Sequence, residues 1–253
     1  MTDLPAYAVY RDFPPEAMKK EMAFDRHYLL YASKGTMRLE AEGRTWSLPP
    51  ARAAWMQAHA PIRVSSQSGI TCCSVLFSTD VYAAPADPLT VFDMSALGRA
   101  LALECRAWGP DTPDLSPYAR QLFDTLHATA CDLANRPSVA WMPEAQSPAL
   151  RRAMDVTEAR LADEVTFGDI AAFAALSERS LARRFSEELG MTWRQAQRRL
   201  RMIRALEMLA LDSAQVTEIA MAVGYSSLSA FNSGFRDFTG MTPSAYRASM
   251  APD

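Results

Sequence analysis

FGDIAAFAALSERSLARRFSEELGMT (Phe167–Thr192) and VTEIAMAVGYSSLSAFNSGFRDFTGMT (Val216–Thr242) are one supersecondary pattern written twice. Ile170 answers to Ile219, Ala171 to Ala220, Leu181 to Phe231, Phe185 to Phe235, and Gly190-Met191-Thr192 to Gly240-Met241-Thr242. The offset grows from 49 to 50 between the Ala171 and Leu181 pairs, so the second copy carries one more residue in its central turn. Each copy reads as a short apolar helix, a tight turn and a second helix able to lie in a DNA major groove.

In the first copy Thr166 caps a helix that sets Ile170, Ala171, Phe173 and Ala174 on one face. Ser177 begins the next helix, with Leu181 and Phe185 inward and Arg179, Ala182, Arg183 and Ser186 outward, and Gly190 ends it. In the second copy Thr217 and Glu218 open the first helix and Gly224 allows the turn. Ser226 or Ser227 caps a helix that buries Phe231 and Phe235, with Leu228 or Phe238 beside them, and exposes Ser229, Asn232, Ser233 and Arg236. Between the copies, a helix over about 192–211 sets Arg194, Arg198, Arg199, Arg201 and Arg204 against Met202, Ile203, Leu206 and Leu209. Its length of about 30 Å is close to one DNA turn of about 34 Å. A single Ala-rich hairpin is a common packing unit, but two with matched ends and a basic connecting helix favour DNA reading.

The stretch Gly224-Tyr225-Ser226-Ser227-Leu228-Ser229-Ala230-Phe231-Asn232, then Phe235-Arg236 and Thr239 to Ser244 with Tyr246-Arg247, resembles the closing signature of AraC/XylS-class bacterial transcription regulators. The resemblance covers Thr166 to Arg247 and implies two helix-turn-helix motifs, about 167–190 and 216–240, in an all-α DNA-binding domain over 149–253. It implies base contacts from Arg179, Ala182 and Arg183 in the first motif, Arg183 being the best candidate for bidentate contact with guanine. In the second motif it implies Leu228, Ser229, Asn232 and Ser233; many relatives have arginine where this chain has Ser233, so weaker reading is expected there. Ser186 and Arg236 complete the two outward faces, and Arg198 and Arg199 are expected on phosphate.

Composition agrees with this reading once it is resolved along the chain. The 253 residues, 49% of them apolar, fit two ordinary domains, and no apolar run approaches a bilayer span. The start lacks a charged segment followed by an apolar core, so a cytoplasmic protein without a membrane partner is expected. The net charge of −3 hides a patch from Ser177 to Ala210 in which eight arginines face four glutamates, and that patch governs phosphate attraction. Cys72, Cys73, Cys105 and Cys131 have no metal-binding spacing and read as reduced thiols, with redox sensing by Cys72-Cys73 a minor alternative.

The first 22 residues are punctuated by proline and say little. From Phe24 to Phe77, short β-rich runs (HYLLYAS, TMRLEAEG, RTWSL, ARAAWMQA, IRVSS, ITCCSVLFS) recur at about ten-residue spacing, with hairpin turns at Gly35 and Glu42-Gly43. A loop, STDVYAAPADPL, leads to two helices, Ser95 to about Trp108 and Ser116 to about Asn135, the second with an apolar stripe from Tyr118 to Leu133. Pattern and position resemble the cupin-like effector domain of AraC-type regulators, here residues 1–135. The fold class is thus α+β: a cupin-like β-barrel with a helical hairpin, a linker over 136–148, and the all-α domain. In the family, helices at this position often form a homodimer contact; simple cover of the barrel is the equal alternative.

An apolar effector pocket with a few polar groups suits such a barrel, and His27, Tyr31, Arg38, Trp46, Trp55 and Met56 are its candidate lining. A metal is not expected: Pro61-Ile62 stands where the cupin pattern has Pro-His, and a site would need His27 and His59 with Glu40 or Asp25. The expected protein is therefore a regulator without cofactor or catalytic activity, with double-stranded DNA and a small-molecule effector as partners, and RNA polymerase too if it activates. The alternatives are a cupin-type metal enzyme with an accessory helical domain and a regulator that works without effector.

Overall fold

A computed structural model describes residues 3–15, 21–66, 69–211 and 214–250, without the side chains of Leu211, Ser249 and Met250. Residues 16–20 lie outside the described residues. The chain divides into two compact units, one holding the chain up to Ala41 and Trp46–Ser138, the other Glu42–Thr45 and Val139–Ser249.

Among the described residues nine strands run up to Asp93, all in the first unit except the start of β5: β1 (Ala6–Phe13), β2 (Glu21–Met22), β3 (His27–Lys34), β4 (Met37–Ala41), β5 (Arg44–Leu48), β6 (Arg52–Met56), β7 (Ile62–Ser65), β8 (Ile70–Phe77) and β9 (Leu89–Asp93). Two helices follow, α1 (Ala96–Cys105) and α2 (Pro117–Ala134), capped by Ser95 and Ser116. One antiparallel sheet runs β1-β8-β3-β6-β9, and within this unit the other runs β5-β4-β7-β2. These are open sheets, which corrects the expected closed barrel; the neighbours needed to join their ends are absent from both strand orders. Three strands lie where none was expected, the two-residue β2 among them. β1 falls in the stretch from which little was read, because its buried positions, Ala6 and Ala8, are too small to give a clear alternation. β9 is a short run directly after Pro88.

The first sheet is buried on both faces, as the unbroken burial of β6 records. One face (Leu29, Tyr31, Ala53, Trp55, Val75, Phe77) packs with Leu101 and Ala102 of α1 and with Ala119, Phe123, Leu126 and Ala130 of α2. The alternation of β-strand side chains sends Tyr28, Leu30, Ala54, Met56 and Leu76 to the opposite face, where they too are buried. In the second sheet Met37, Leu39, Trp46, Leu48, Ile62 and Val64 are buried.

That parity separates the expected effector-pocket residues. His27, Tyr31 and Trp55 belong to the helix-covered face of the first sheet, Met56 to its opposite face, and Trp46 to the second sheet. Arg38 is partly exposed and pairs with Glu40 at 3.2 Å. The six residues therefore do not gather round one cavity. Of the metal-ligand set, Glu40 is engaged by Arg38 and Arg63, and the Nδ1 of His27 accepts a hydrogen bond from the amide of Ala58 at 3.1 Å. Among the described residues, no three His, Cys, Asp or Glu side chains are placed to hold a metal ion. Burial pushes the Cys73 thiol up to about 12 and raises that of Cys72, the opposite of the exposed low-pKa thiolate that redox sensing requires.

Among the described residues, Arg52 is a fully buried charge of this unit. Its Nε donates to Asp93 at 2.8 Å and its Nη1 to the carbonyl of Ser47 at 3.2 Å, joining β6 to β9 and to the end of β5. Asp93→Ala removes the carboxylate from a buried guanidinium and is expected to cost about 3 kcal/mol. Urea titration followed by tryptophan fluorescence measures it.

Among the described residues the second unit contains β10 (Trp141–Pro143) and seven helices: α3 (Pro148–Ala159), α4 (Phe167–Phe173), α5 (Glu178–Leu189), α6 (Trp193–Leu211), α7 (Val216–Ala222), α8 (Leu228–Thr239) and α9 (Pro243–Met250). The stretch 136–148, expected to be a linker, carries partners along its length. The amide of Ser138 donates to Val91 at 2.7 Å in the first unit, while in the second Trp141–Pro143 is a strand and Ser147 caps α3. Among the described residues no helix is long and apolar enough to cross a membrane.

Candidate nucleic-acid interface

The two helix pairs α4-α5 and α7-α8 are built by the same local chemistry. Thr166 and Asp169 form a reciprocal capping box at the start of α4, with Asp169 N to Thr166 Oγ1 at 3.2 Å and Thr166 N to Asp169 Oδ2 at 2.9 Å. At α7 the Glu218 carboxylate accepts from the amide of Gln215 at 2.8 Å, so the helix is capped two residues ahead of the Thr217 expected there. Each turn needs a residue in the left-handed region, Ala175 at φ +56 and Gly224 at φ +85. Each closes with an equivalent bond, Leu176 N to Ala171 O at 3.0 Å and Tyr225 N to Ala220 O at 2.9 Å. Ser177 and Ser227 then cap the second helices, settling the choice between Ser226 and Ser227.

The repeated Gly-Met-Thr has a physical cause. Gly190 and Gly240 end α5 and α8 in the left-handed conformation at φ +65 and +76. Thr192 then accepts from the amide of Gln195 at 3.3 Å, and Thr242 from that of Ala245 at 3.2 Å, so one tripeptide stops a helix and starts the next. Three of these glycines differ in constraint. A methyl on Gly190 or Gly240 meets open space, whereas on Gly224 it falls 2.2 Å from the carbonyl oxygen of Leu161.

The outward faces lie where the sequence places them. α5 buries Leu181, Phe185 and Leu189 and exposes Arg179, Ala182, Arg183 and Ser186. The guanidinium of Arg183 is only loosely engaged, 4.0 Å from Glu187 with both side chains in solvent. α8 buries Phe231, Gly234 and Phe235 and exposes Ser229, Asn232, Ser233 and Arg236. Leu228 is 41% exposed and Phe238 half-buried, so neither completes the core as Phe231 and Phe235 do. Phe173, expected inward on α4, is 47% exposed, with the guanidinium of Arg160 over its ring at 4.7 Å.

The arginines of α6 do not share one fate. Positions 194, 197, 198 and 201 fall on one face by helical spacing, and their side chains, with Thr166, Tyr225 and Ser233, line an open groove of about 770 Å³. The composite of Arg194 and Gln197 with Arg198 was legible only as this spacing, since its far wall comes from α8. Arg198 makes an exposed pair with Asp237 at 3.2 Å, which holds it weakly. Arg201 donates from Nε to the carbonyl of Leu161 at 3.1 Å. Arg199 faces another way: Nε donates to the carbonyl of Trp141 at 2.7 Å and Nη2 to that of Val139 at 3.2 Å. Burial lowers its pKa, but the guanidinium stays charged.

Glu188, at the end of α5, orients that helix on its neighbour. Its carboxylate accepts from the amides of Gln146 and Ser147, each at 2.8 Å, and from the Ser147 hydroxyl at 2.7 Å, with Arg184 at 3.2 Å on the other side. Burial works against ionisation of Glu188, but the hydrogen bonds from Ser147, Arg184 and Gln146 outweigh it and hold its pKa below the ordinary value.

Residues 170–249 match a family model described as a helix-turn-helix domain. The regulator NimR of Escherichia coli K12 is 27% identical over 221 residues, 87% of this chain and 79% of that protein. ArgR of Pseudomonas aeruginosa is 34% identical over 96 residues, 38% of this chain, which spans only 29% of ArgR. The crystal structure of a regulator with an AraC-type DNA-binding domain from Chromobacterium violaceum is 33% identical, covering 41% of this chain and 93% of that one with a TM-score of 0.40.

Two outcomes follow for stability. Gly224→Ala is expected to destabilise the second unit by at least about 1–2 kcal/mol more than Gly240→Ala, because both meet the φ penalty and only the first meets a carbonyl; thermal melts compare them. For Glu188, whose pKa is depressed on folding, the stabilisation is present above the unfolded carboxylate value and is lost as pH falls through the folded one. Glu188→Gln should therefore lower stability by about 1 kcal/mol at pH 7. Its deficit should close on acidification; a deficit independent of pH contradicts the assignment.

Proposed function

We propose, from the premise that the chain belongs to the AraC-type helix-turn-helix transcription regulators, that it reads double-stranded DNA through α5 and α8 in successive major grooves. The observation that carries the reading is the pair of equivalent helix units with exposed outer faces, joined by the single helix α6. Its 19 residues span about 28 Å, near the 34 Å of one DNA turn.

The two helix pairs are, in this reading, two helix-turn-helix motifs with unequal tasks. Arg179, Ala182, Arg183 and Ser186 form the basic reading face, and the fork of Arg183 suits the O6 and N7 acceptors of guanine. Leu228, Ser229, Asn232, Ser233 and Arg236 form the second face, in which Asn232 can pair with adenine and Leu228 can meet a thymine methyl group. Arg194, Gln197 and Arg198, at the mouth of the groove between the pairs, meet the phosphate backbone. Arg199 is withdrawn from the phosphate set, because two carbonyls of the chain itself hold its donors.

A small-molecule effector is assigned to the first unit, where it acts by binding one presentation of the reading heads better than another. The exposed Leu97 and Tyr118 of α1 and α2 supply an apolar contact for a homodimer. The reading gives the chain no catalytic step, and it works in the cytoplasm, where bacterial DNA lies. A promoter fusion tells the sign of regulation: activation requires a contact with RNA polymerase, repression does not.

Arg183→Ala should cost about 1–3 kcal/mol on the cognate site and relax preference at one base pair. Gel-shift titration against single-base variants measures this, and a variant equal to wild type at every base removes Arg183 from the readout. Arg198→Ala should weaken all sequences alike and reduce the slope of log affinity against log salt by about 0.9.

A further inference from the structure

Arg199 has more partners than a structural arginine at the edge of a helix needs. Its guanidinium lies between two rings, 4.7 Å from the centroid of Trp141 on β10 and 5.1 Å from that of Phe238 on α8. Its donors meanwhile close on the carbonyls of Val139 and Trp141. One planar cation thus holds three elements of the second unit: the strand β10, the helix α6 that carries it, and the last turn of the second reading helix.

The rest of α8 leaves this attachment influential. Its buried face is Phe231, Gly234 and Phe235, and Phe238 lies one turn beyond, half-buried. Among the described residues the first pair shows no such cation: the end of α5 is fixed by Glu188 on the start of α3. Guanidinium suits the place because it stacks on aromatic faces and donates in its own plane at the same time, which an ammonium cannot do.

We infer that Arg199 is a positioning residue for the second reading helix, and that the strand Trp141–Pro143 is the handle through which the angle of α8 is set. Displacing Val139–Trp141 withdraws the carbonyls and one of the two rings, and α8 loses its fixed end. Base contacts of the second head then respond to the state of this strand, while those of α5 do not. The inference rests on the proposed reading role of α8.

The test uses the full chain as wild type, Arg199→Ala, Arg199→Lys and Trp141→Ala. Backbone hydrogen exchange of the free protein is read first. Amides in the C-terminal half of α8 and in 139–143 should exchange on the order of tenfold faster in each variant, with α4 and α5 unchanged. Arg199→Lys, which keeps the charge and loses the fork, should resemble Arg199→Ala. Unchanged exchange in α8, or a loss of protection spread equally through the unit, overturns the inference without reference to DNA. Gel shifts on operators mutated in one half-site at a time are read second. Arg199→Ala should bind with the wild-type salt slope and lose discrimination only at the half-site read by α8. A slope lowered by about one unit, with both half-sites weakened alike, makes Arg199 a phosphate contact instead. If the wild type binds no DNA, the proposed function fails and the exchange result still decides whether Arg199 positions α8.

Discussion

One helix has to serve as the common floor of both helix pairs, α4-α5 and α7-α8, and the second unit follows from how α6 meets that demand. Its buried positions, including Ala196, Leu200, Ile203 and Leu206, supply the packing. The positions that remain are divided among the neighbours by the 100° step between residues. Arg199 turns to β10 and α8, Arg201 to the carbonyl of Leu161, and Arg194 and Arg198 to the groove. An arginine-rich helix is therefore not a uniformly basic rod. Of its arginines, those locked to backbone carbonyls maintain the shape, and those left in solvent provide charge for an anionic partner.

The C-terminal unit was legible in the sequence because its punctuation is local. Capping, a left-handed turn residue and a helix-ending glycine act over three or four residues, so a duplicated pattern of Thr, Ser and Gly marks duplicated helix boundaries almost wherever it occurs. The apolar pairs Leu181 with Phe185 and Phe231 with Phe235 lie four apart and are buried, as a helix requires. Ala175 shows the limit of such reading: it adopts φ +56 where the second copy has Gly224, and nothing in an alanine announces that. The environment of Gly224 explains why it must be glycine, since the carbonyl oxygen of Leu161 is pressed against the site of its missing methyl group.

The N-terminal unit was less legible because its organisation is long-range. Recurring short runs identified most strands, yet β1, β2 and β9 were missed, and all three owe their place to pairing partners far along the chain, Cys72 and Cys73 for β1, Ile62 and Arg63 for β2, and Ala53 and Ala54 for β9. Whether the sheets close is decided by strand order, which spacing does not encode. The expected pocket residues were chosen by type, but strand parity distributes His27, Tyr31 and Trp55 to one face and Met56 to the other. Likewise β10 and the role of Trp141 lay in a proline-rich stretch whose partners are 58 and 60 residues away on α6.

Hydroxyl-radical footprinting of the full chain on its operator tests the central claim, that two unequal heads on one rigid helix read one face of the duplex. The account predicts two protected patches about 10 base pairs apart on the same face, with Arg183→Ala weakening one and Asn232→Ala weakening the other. A single patch, or two patches that respond identically to both substitutions, contradicts it.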